Sequence, residues 1–546
     1  MHTRPPAERD PSRDDARAAL AIGDLTIALP PGGDRDLAVD GVVLDVAPGE
    51  VVCLVGESGS GKSAIALAAM GLLPPALRIT AGSIDVDGEA IVGATEPRLA
   101  TLRGARMAMV FQEPATALNP LMRCGAQVEE VIAAHTRDDA GARRARALAA
   151  LADAGIGDPA RIHAAWPHEI SGGERQRVMI AMAQVLAPAV LIADEPTSAL
   201  DVTTQAQILG LVRRLARERA TGVLFITHDF AVVADIADRI VVLERGRVVE
   251  SGERDRVLRD PQHAATRALI AAVPGLDPPP RAAVAGARIV VARGVSKAWP
   301  ARGAWTRRAP VIACIDVDLE LRRGEALGLI GESGSGKTTI ARAIARLIEP
   351  SAGTIELDGV DIARMGPSAL RPLRRKLQVV FQDPYRSLDP RRRVGESIVE
   401  GPLNYGASRA SAMARARELM TLVHLPERAL ARYPHEFSGG QRQRLCIARA
   451  LALEPEVLIA DEPVSALDVS VQARVLALLA EIRDRMKLAM LLITHDLRVA
   501  AQICDRVAVM HEGRIVESGD TREVFAHPVH PWTRALFAAV PGRGLA

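Results

Sequence analysis

Lysine is nearly missing from this sequence. Only five occur, at 62, 297, 337, 376 and 487, among 68 basic residues, so arginine carries almost all of the positive charge. Basic and acidic residues nearly cancel, leaving a net charge of +2. That balance excludes the global basic field of a protein built to coat nucleic acid, and there is no acidic tail. Aromatic residues make up 3%, too few for base-stacking platforms along a strand. The five cysteines, at 53, 124, 314, 446 and 504, form no CxxC pair and no metal or iron–sulfur cluster. They read as reduced core thiols of a cytosolic protein. No apolar run reaches the roughly 18 residues of a membrane span. The longest candidate, 64–77, is broken by Pro74 and Pro75. The first residues, Met1-His2-Thr3-Arg4-Pro5-Pro6-Ala7-Glu8, lack the apolar segment of a secretory leader.

Two of the scarce lysines sit in almost the same octapeptide. Gly331-Glu332-Ser333-Gly334-Ser335-Gly336-Lys337-Thr338 has the form GxxxxGK[ST], and Gly56-Glu57-Ser58-Gly59-Ser60-Gly61-Lys62-Ser63 repeats it half a chain earlier. Each follows an apolar run and precedes a helical pattern. Strand, glycine loop, helix is the context in which such a loop cradles phosphates. Glycines let backbone N–H groups turn inward, and the helix N-terminus adds its unsatisfied donors and dipole. The lysine supplies a point charge for the outer phosphates, and Ser63 or Thr338 a hydroxyl for Mg²⁺.

Taken in order, residues 1–18 are polar and Pro-containing, and are expected to be disordered. Strand patterns follow at 24–29, 42–46 and 51–55, bounded by Gly/Pro turns, and another strand pair is expected near 82–88. The apolar run 107–111 leads into Gln112. Residues 120–165 are Ala-rich and predict an inserted helical subdomain. Ser171-Gly172-Gly173-Glu174-Arg175 then opens a helix, a second N-terminus suited to an anion. Val190-Leu191-Ile192-Ala193 runs into Asp194-Glu195, a buried strand presenting two carboxylates at its end. Asp194 can organise Mg²⁺, and Glu195 can polarise an attacking water. A later strand, 223–227, leads into His228.

All of this recurs. The two glycine loops lie 275 positions apart; Gln112 and Gln382 lie 270 apart; Ser171 and Ser438, Asp194 and Asp461, Glu195 and Glu462, and His228 and His495 each lie 267 apart. The predicted fold is therefore α/β, two tandem phosphate-loop domains, each a mixed sheet with an inserted helical subdomain. The boundaries read as a first domain 19–275, a Pro-rich linker 276–287 and a second domain 288–546.

The whole set resembles the ATP-binding cassette superfamily from about residue 20 onward. Ser171-Gly172-Gly173 and Ser438-Gly439-Gly440 resemble its signature, Gln112 and Gln382 its Q-loop residues, and His228 and His495 its switch histidines. Ser198 to Asp201 and Ser465 to Asp468 resemble its D-loops. The resemblance implies ATP hydrolysis, with Glu195, Glu462, His228 and His495 catalytic and Mg²⁺ held by Ser63, Gln112 and Asp194 or by Thr338, Gln382 and Asp461. It also implies head-to-tail pairing, so that Lys62, Gln112, Asp194, Glu195 and His228 work with Ser438 and Gly440. Lys337, Gln382, Asp461, Glu462 and His495 then work with Ser171 and Gly173.

Long segments after each Q-loop glutamine (to Pro120 and Pro390) and matching ends, His263 to Leu269 and His530 to Leu536, resemble the oligopeptide/dipeptide/nickel importer branch, including its fused double-ATPase members. That implies a peripheral protein on the cytoplasmic face of the membrane, two multi-span permease subunits and an extracytoplasmic binding protein, with no nucleic acid. Other cargo (nickel, glutathione, an exported compound) and a non-transport twin ATPase acting on nucleic acid or ribosomes stay open as alternatives. In this family an aromatic residue ahead of the first core strand commonly stacks on adenine. Alignment sets Trp299 opposite Leu29, with Trp305 a second aromatic nearby and core packing the plainer role for Trp299. The basic runs Arg374-Arg375-Lys376 and Arg391-Arg392-Arg393 read as solvated or partner-facing, and His168 and His435 as structural hydrogen-bonders.

Overall fold

The computed structural model describes residues 18–32, 35–198, 200–281, 284–300, 310–465 and 467–543. The expected disorder of the N-terminal segment therefore lies outside the described residues up to position 17, as does Trp305.

Of the described residues, 18–198 and 207–270 fall in one compact unit, and 200–206 with 271–543 in a second. In the first, a four-stranded antiparallel sheet has the order Leu37–Val46, Leu20–Ala28, Arg78–Val86, Glu89–Ala90. Its long strand buries Leu20, Ile22, Leu25 and Ile27. The alternation slips between Ile22 and Leu25, where Asp24 takes a left-handed backbone. The second sheet is ordered Arg247–Glu253, Arg239–Glu244, Val51–Val55, Gly222–Thr227, Val190–Asp194, Met107–Val110. Its pairs are parallel except the first. Val51–Val55 and Val190–Asp194 are buried at every position. Central parallel strands lie covered on both faces, which is why they read as unbroken apolar runs.

The inserted subdomain is helical, as predicted: Cys124–His135, Ala140–Asp153 and Pro159–Ala164. Asp139 and Asp158 cap the latter two by accepting from the N–H of Ala142 (2.8 Å) and Arg161 (3.0 Å). The helix Gly172–Gln184 then leads back to the sheet.

The second unit repeats the plan. Its four-stranded sheet is Val311–Arg322, Arg288–Trp299, Ala352–Leu357, Val360–Asp361. Its six-stranded sheet is Leu377–Val380, Val457–Asp461, Ala489–Thr494, Ala326–Ile330, Arg506–His511, Arg514–Asp520. Strand register matches the pairing of Leu29 with Trp299 across the repeat. Ile27 pairs with Val39 and Ala28 with Leu37; Lys297 pairs with Cys314 and Ala298 with Ile312, the same pairs one repeat later.

The two similar domain ends are seated alike. Glu250 accepts from the N–H groups of Gln262 (2.9 Å) and His263 (3.0 Å), and Glu517 from those of Val529 (2.9 Å) and His530 (3.0 Å). His263 and His530 then accept from Ala265 and Trp532 at 3.2 Å, opening the helices Ala264–Ala271 and Pro531–Ala538. All five cysteines are buried and without a disulfide partner. Among the described residues, no helix is long and apolar enough to cross a membrane.

Candidate active site

Each unit builds one site at the C-terminal ends of its parallel strands. The glycine loop turns between Val51–Val55 and the helix Lys62–Ala69. Gly61 has φ 110°, and a Cβ there would sit 2.5 Å from the Ala38 carbonyl; Gly336 has φ 102°, with the Ala313 carbonyl at 2.2 Å. No other residue type fits either turn. The Lys62 ammonium donates to the carbonyls of Gly56 (2.7 Å) and Glu57 (2.9 Å), and Lys337 to Gly331 (2.8 Å) and Glu332 (2.6 Å). Burial pulls the Lys337 ammonium below its usual range, against the opposing pull of Glu462 and Asp461.

Asp194 and Asp461 end their strands 7% and 4% exposed. Thr338 Oγ1 donates to Asp461 Oδ1 at 3.2 Å, and the Ser63 hydroxyl bonds Asp194. Burial, reinforced by the adjacent glutamate, pushes both aspartates above their ordinary range. A hydroxyl and one buried carboxylate beside a phosphate cradle are the partial, all-oxygen shell that Mg²⁺ takes when substrate phosphates complete it. The buried Ser60 hydroxyl in the same loop makes no hydrogen bond among the described residues. The residues thus fit a magnesium-bound nucleotide.

The next residue in each strand turns sharply. Glu195 and Glu462 have φ 46° and 47°, a left-handed backbone that costs a non-glycine residue on the order of 1 kcal/mol or more. Their N–H groups donate to Ile226 and Ile493 at 2.9 Å. The turn lets each carboxylate lie between two partners. Gln112 Nε2 donates to Glu195 Oε2 (2.9 Å), and His228 Nδ1 lies 2.8 Å from Oε1. Gln382 donates to Glu462 (2.7 Å), and His495 lies 3.0 Å away. Burial alone would raise both carboxyls; the histidine, the lysine charge and the other bonds outweigh it and hold them below the carboxylate range. Burial would lower the His495 ring, but Glu462 holds it above its usual value. A carboxylate kept ionised beside a phosphate cradle can accept a proton from water. Both glutamines, expected among the Mg²⁺ ligands, have their amides on these glutamates.

Ser171 and Ser438 cap the helices Gly172–Gln184 and Gly439–Leu451. Their hydroxyls accept from Glu174 N (3.2 Å) and Gln441 N (3.4 Å), and the same two side chains accept back from the serine N–H groups. Ser198 and Ser465 donate to the carbonyls of Glu195 and Glu462, both at 3.2 Å.

Trp299 is 42% exposed at the end of its strand, with the Lys297 ammonium 4.6 Å from its ring centroid. Leu29 packs against the core of the first unit. The basic run 374–376 is engaged with its own unit, Arg374 and Arg375 on carbonyls and Lys376 on Asp358 and Glu456. Arg392 pairs with Glu400, Arg393 lies over Tyr433, and Arg391 is open to solvent. His435 stacks on Tyr433.

The sequence reading missed the aspartate after each histidine. Asp229 and Asp496 N–H groups donate to Thr227 and Thr494 (3.1 and 3.0 Å), and their carboxylates cap the following helix. The identical Thr-His-Asp triplets at 227–229 and 494–496 were the available signal.

A family model described as ABC transporter matches residues 39–198 and 314–465. A second, described as the oligopeptide/dipeptide transporter C-terminal region, matches 249–293 and 516–544, the segments that hold Glu250, His263, Glu517 and His530. The chain is 47% identical over 528 residues to the peptidoglycan transport ATP-binding protein YejF of Agrobacterium fabrum, covering 95% of this chain and 96% of that one. It is 45% identical over 566 residues to the glutathione import ATP-binding protein GsiA of Escherichia coli K12, covering 96% and 90%.

Proposed function

The chain belongs to the ABC transporter family, and on that premise we propose that it is the ATP-hydrolysing, energy-coupling subunit of an importer for peptide-class cargo. The observation that carries this reading is the duplicated set in which a buried glutamate lies between a glutamine amide and a histidine ring beside a phosphate cradle. Likeness to import and peptidoglycan-transport ATP-binding proteins along nearly the whole chain supports the cargo class.

In this reading Lys62 and Lys337 leave their loop carbonyls for the outer phosphates, and loop N–H groups donate to the rest. Ser63 with Asp194, and Thr338 with Asp461, hold Mg²⁺, which supplies charge neutralisation on the phosphate oxygens. Glu195 and Glu462 accept the proton of the attacking water; His228 and His495 orient them and Gln112 and Gln382 release them when nucleotide enters. Trp299 stacks on adenine in the site built on Lys337. Each nucleotide is completed by the signature of the other cassette, Ser438 and Gly440 or Ser171 and Gly173. ATP therefore favours the joined state because its phosphates satisfy donors from both halves, and hydrolysis removes that preference.

A motor needs a load. We assign it to two multi-span membrane subunits seated near the Q-loops, where Leu121 (82%) and Tyr385 (64%) are exposed, with an extracytoplasmic binding protein delivering cargo. The chain then works at the cytoplasmic face of the membrane. The test is co-purification after mild solubilisation of membranes. Recovery with two multi-span proteins is expected. A protein that stays free of membranes and shows ATPase activity stimulated by RNA or ribosomes overturns the reading.

A further inference from the structure

The helix Leu497–Ile503 follows the second switch histidine, and its start is locked by local bonds. Asp496 N–H donates to Thr494 Oγ1 (3.0 Å) and Arg498 N–H to Asp496 Oδ1 (2.8 Å), so strand end, His495 and helix form one rigid corner. The first unit makes the same corner from Thr227, Asp229 and Ala231, at 3.1 and 2.8 Å. The difference is the side chain at the last position: arginine in one, alanine in the other.

Arg498 is only 8% exposed. Its guanidinium donates through Nη1 to the Pro274 carbonyl (2.8 Å) and through Nη2 to the Pro541 carbonyl (2.5 Å). These prolines occupy the same place in the repeat, 267 positions apart, each in an Ala-Ala-Val-Pro-Gly run just after a domain-ending helix. One turn along, Gln502 donates to the Gly275 carbonyl (3.3 Å). At the far end of the helix Arg281 donates to the carbonyls of Gln502 and Cys504. Leu276 packs on the apolar core of the same unit. The chain from 274 to 281 is thus bonded along this one helix. A planar guanidinium can hold two carbonyls in fixed directions, which a lysine cannot.

We propose that Arg498 is a positioning residue for the second hydrolytic site: it holds the Pro-Gly ends of both carboxyl-terminal regions on the helix behind His495, so that the alignment of His495 on Glu462 depends on where those ends sit. Movement of either end is felt at Glu462. Ala231 offers no such grip behind His228. The inference rests on reading Glu462 and His495 as a hydrolytic pair.

The test uses the full chain in two backgrounds. Glu195→Gln leaves the second site as the hydrolytic one, and Glu462→Gln leaves the first. Arg498→Ala is expected to lower kcat about fivefold or more in the first background, as a small misplacement of a catalytic group does, with KM for ATP nearly unchanged. In the second background the rate should hold. Arg498→Lys, which keeps the charge but serves one carbonyl, should fall between, and it decides the matter if Arg498→Ala does not fold. Equal losses in both backgrounds, or none in the first, overturn the proposal. If Glu462→Gln itself leaves turnover intact, the hydrolytic reading falls and the inference with it; if Glu462→Gln lowers turnover and the Arg498 variants do not, only the inference falls.

Discussion

His495 Nδ1 lies 3.0 Å from Glu462 Oε1, and one repeat earlier His228 Nδ1 lies 2.8 Å from Glu195 Oε1. Two copies of one geometry, each with its own glutamine, lysine and strand-end aspartate, are what the proposed reading needs for hydrolysis in both cassettes. Glu195→Gln and Glu462→Gln should each lower ATP turnover at its own site by at least about tenfold, the smaller end of a lost general base, so the total rate falls partly in either single variant and at least about tenfold in the double. An unchanged rate in either variant would make that site a binding site alone.

In the proposed reading the lysines act at an earlier step. Lys62→Ala or Lys337→Ala removes a buried counter-charge, so nucleotide affinity should fall about tenfold, the scale of one charge-assisted bond at roughly 1.5 kcal/mol. Equilibrium binding of ATP with Mg²⁺ checks this, and an unaltered Kd contradicts it.

In the proposed reading the adenine ends differ between the halves. No aromatic residue precedes Phe111, Leu29 is packed on the core, and Trp299 stands 42% exposed. Ring stacking contributes about 0.5–1.5 kcal/mol beyond area burial, or roughly threefold to tenfold in affinity. The Lys337 site should bind ATP more tightly than the Lys62 site, and Trp299→Ala should remove the difference. Site-resolved affinities in Trp299→Ala and Leu29→Trp measure it; an unchanged Lys337 site in folded Trp299→Ala removes the stacking role.

Acid should loosen the carboxyl-terminal ends. Burial works to raise the Glu517 carboxyl, but the two backbone N–H groups it accepts help hold it below the ordinary range. A depressed folded value stabilises above the unfolded pKa of about 4.3, and that contribution is lost as pH falls through the folded value. Amide protection across Pro531–Ala538, corrected for intrinsic exchange, should therefore fall below about pH 4. In Glu517→Gln it should already be low at neutral pH. Equal protection in both proteins at both pH values would show that Glu517 does not seat this helix.

Much of the site was legible because its parts are local. A continuous apolar run ending in carboxylates announces a central parallel strand, and a glycine loop between strand and helix announces a phosphate cradle. The near-constant spacing of six landmarks announces the duplication. What stayed hidden depends on partners far apart in the chain. Gln112 reaches Glu195 across 83 positions, and Arg498 reaches Pro274 across 224. Periodicity tells which face of an element is buried, not which distant side chain meets it. The left-handed turn at Glu195 and Glu462 was equally hidden, since glutamate has no preference for it and tertiary bonds impose it.

If, as proposed, ATP hydrolysis by this chain drives uptake of peptide-class cargo, uptake must fail when both hydrolytic glutamates are lost. This is tested most directly in cells whose only copy is either the natural chain or the Glu195→Gln/Glu462→Gln double variant. Uptake of a labelled oligopeptide and of labelled glutathione is measured in both. Uptake of at least one of them should collapse in the double variant while the protein stays at the membrane. Unchanged uptake of both would contradict the proposal.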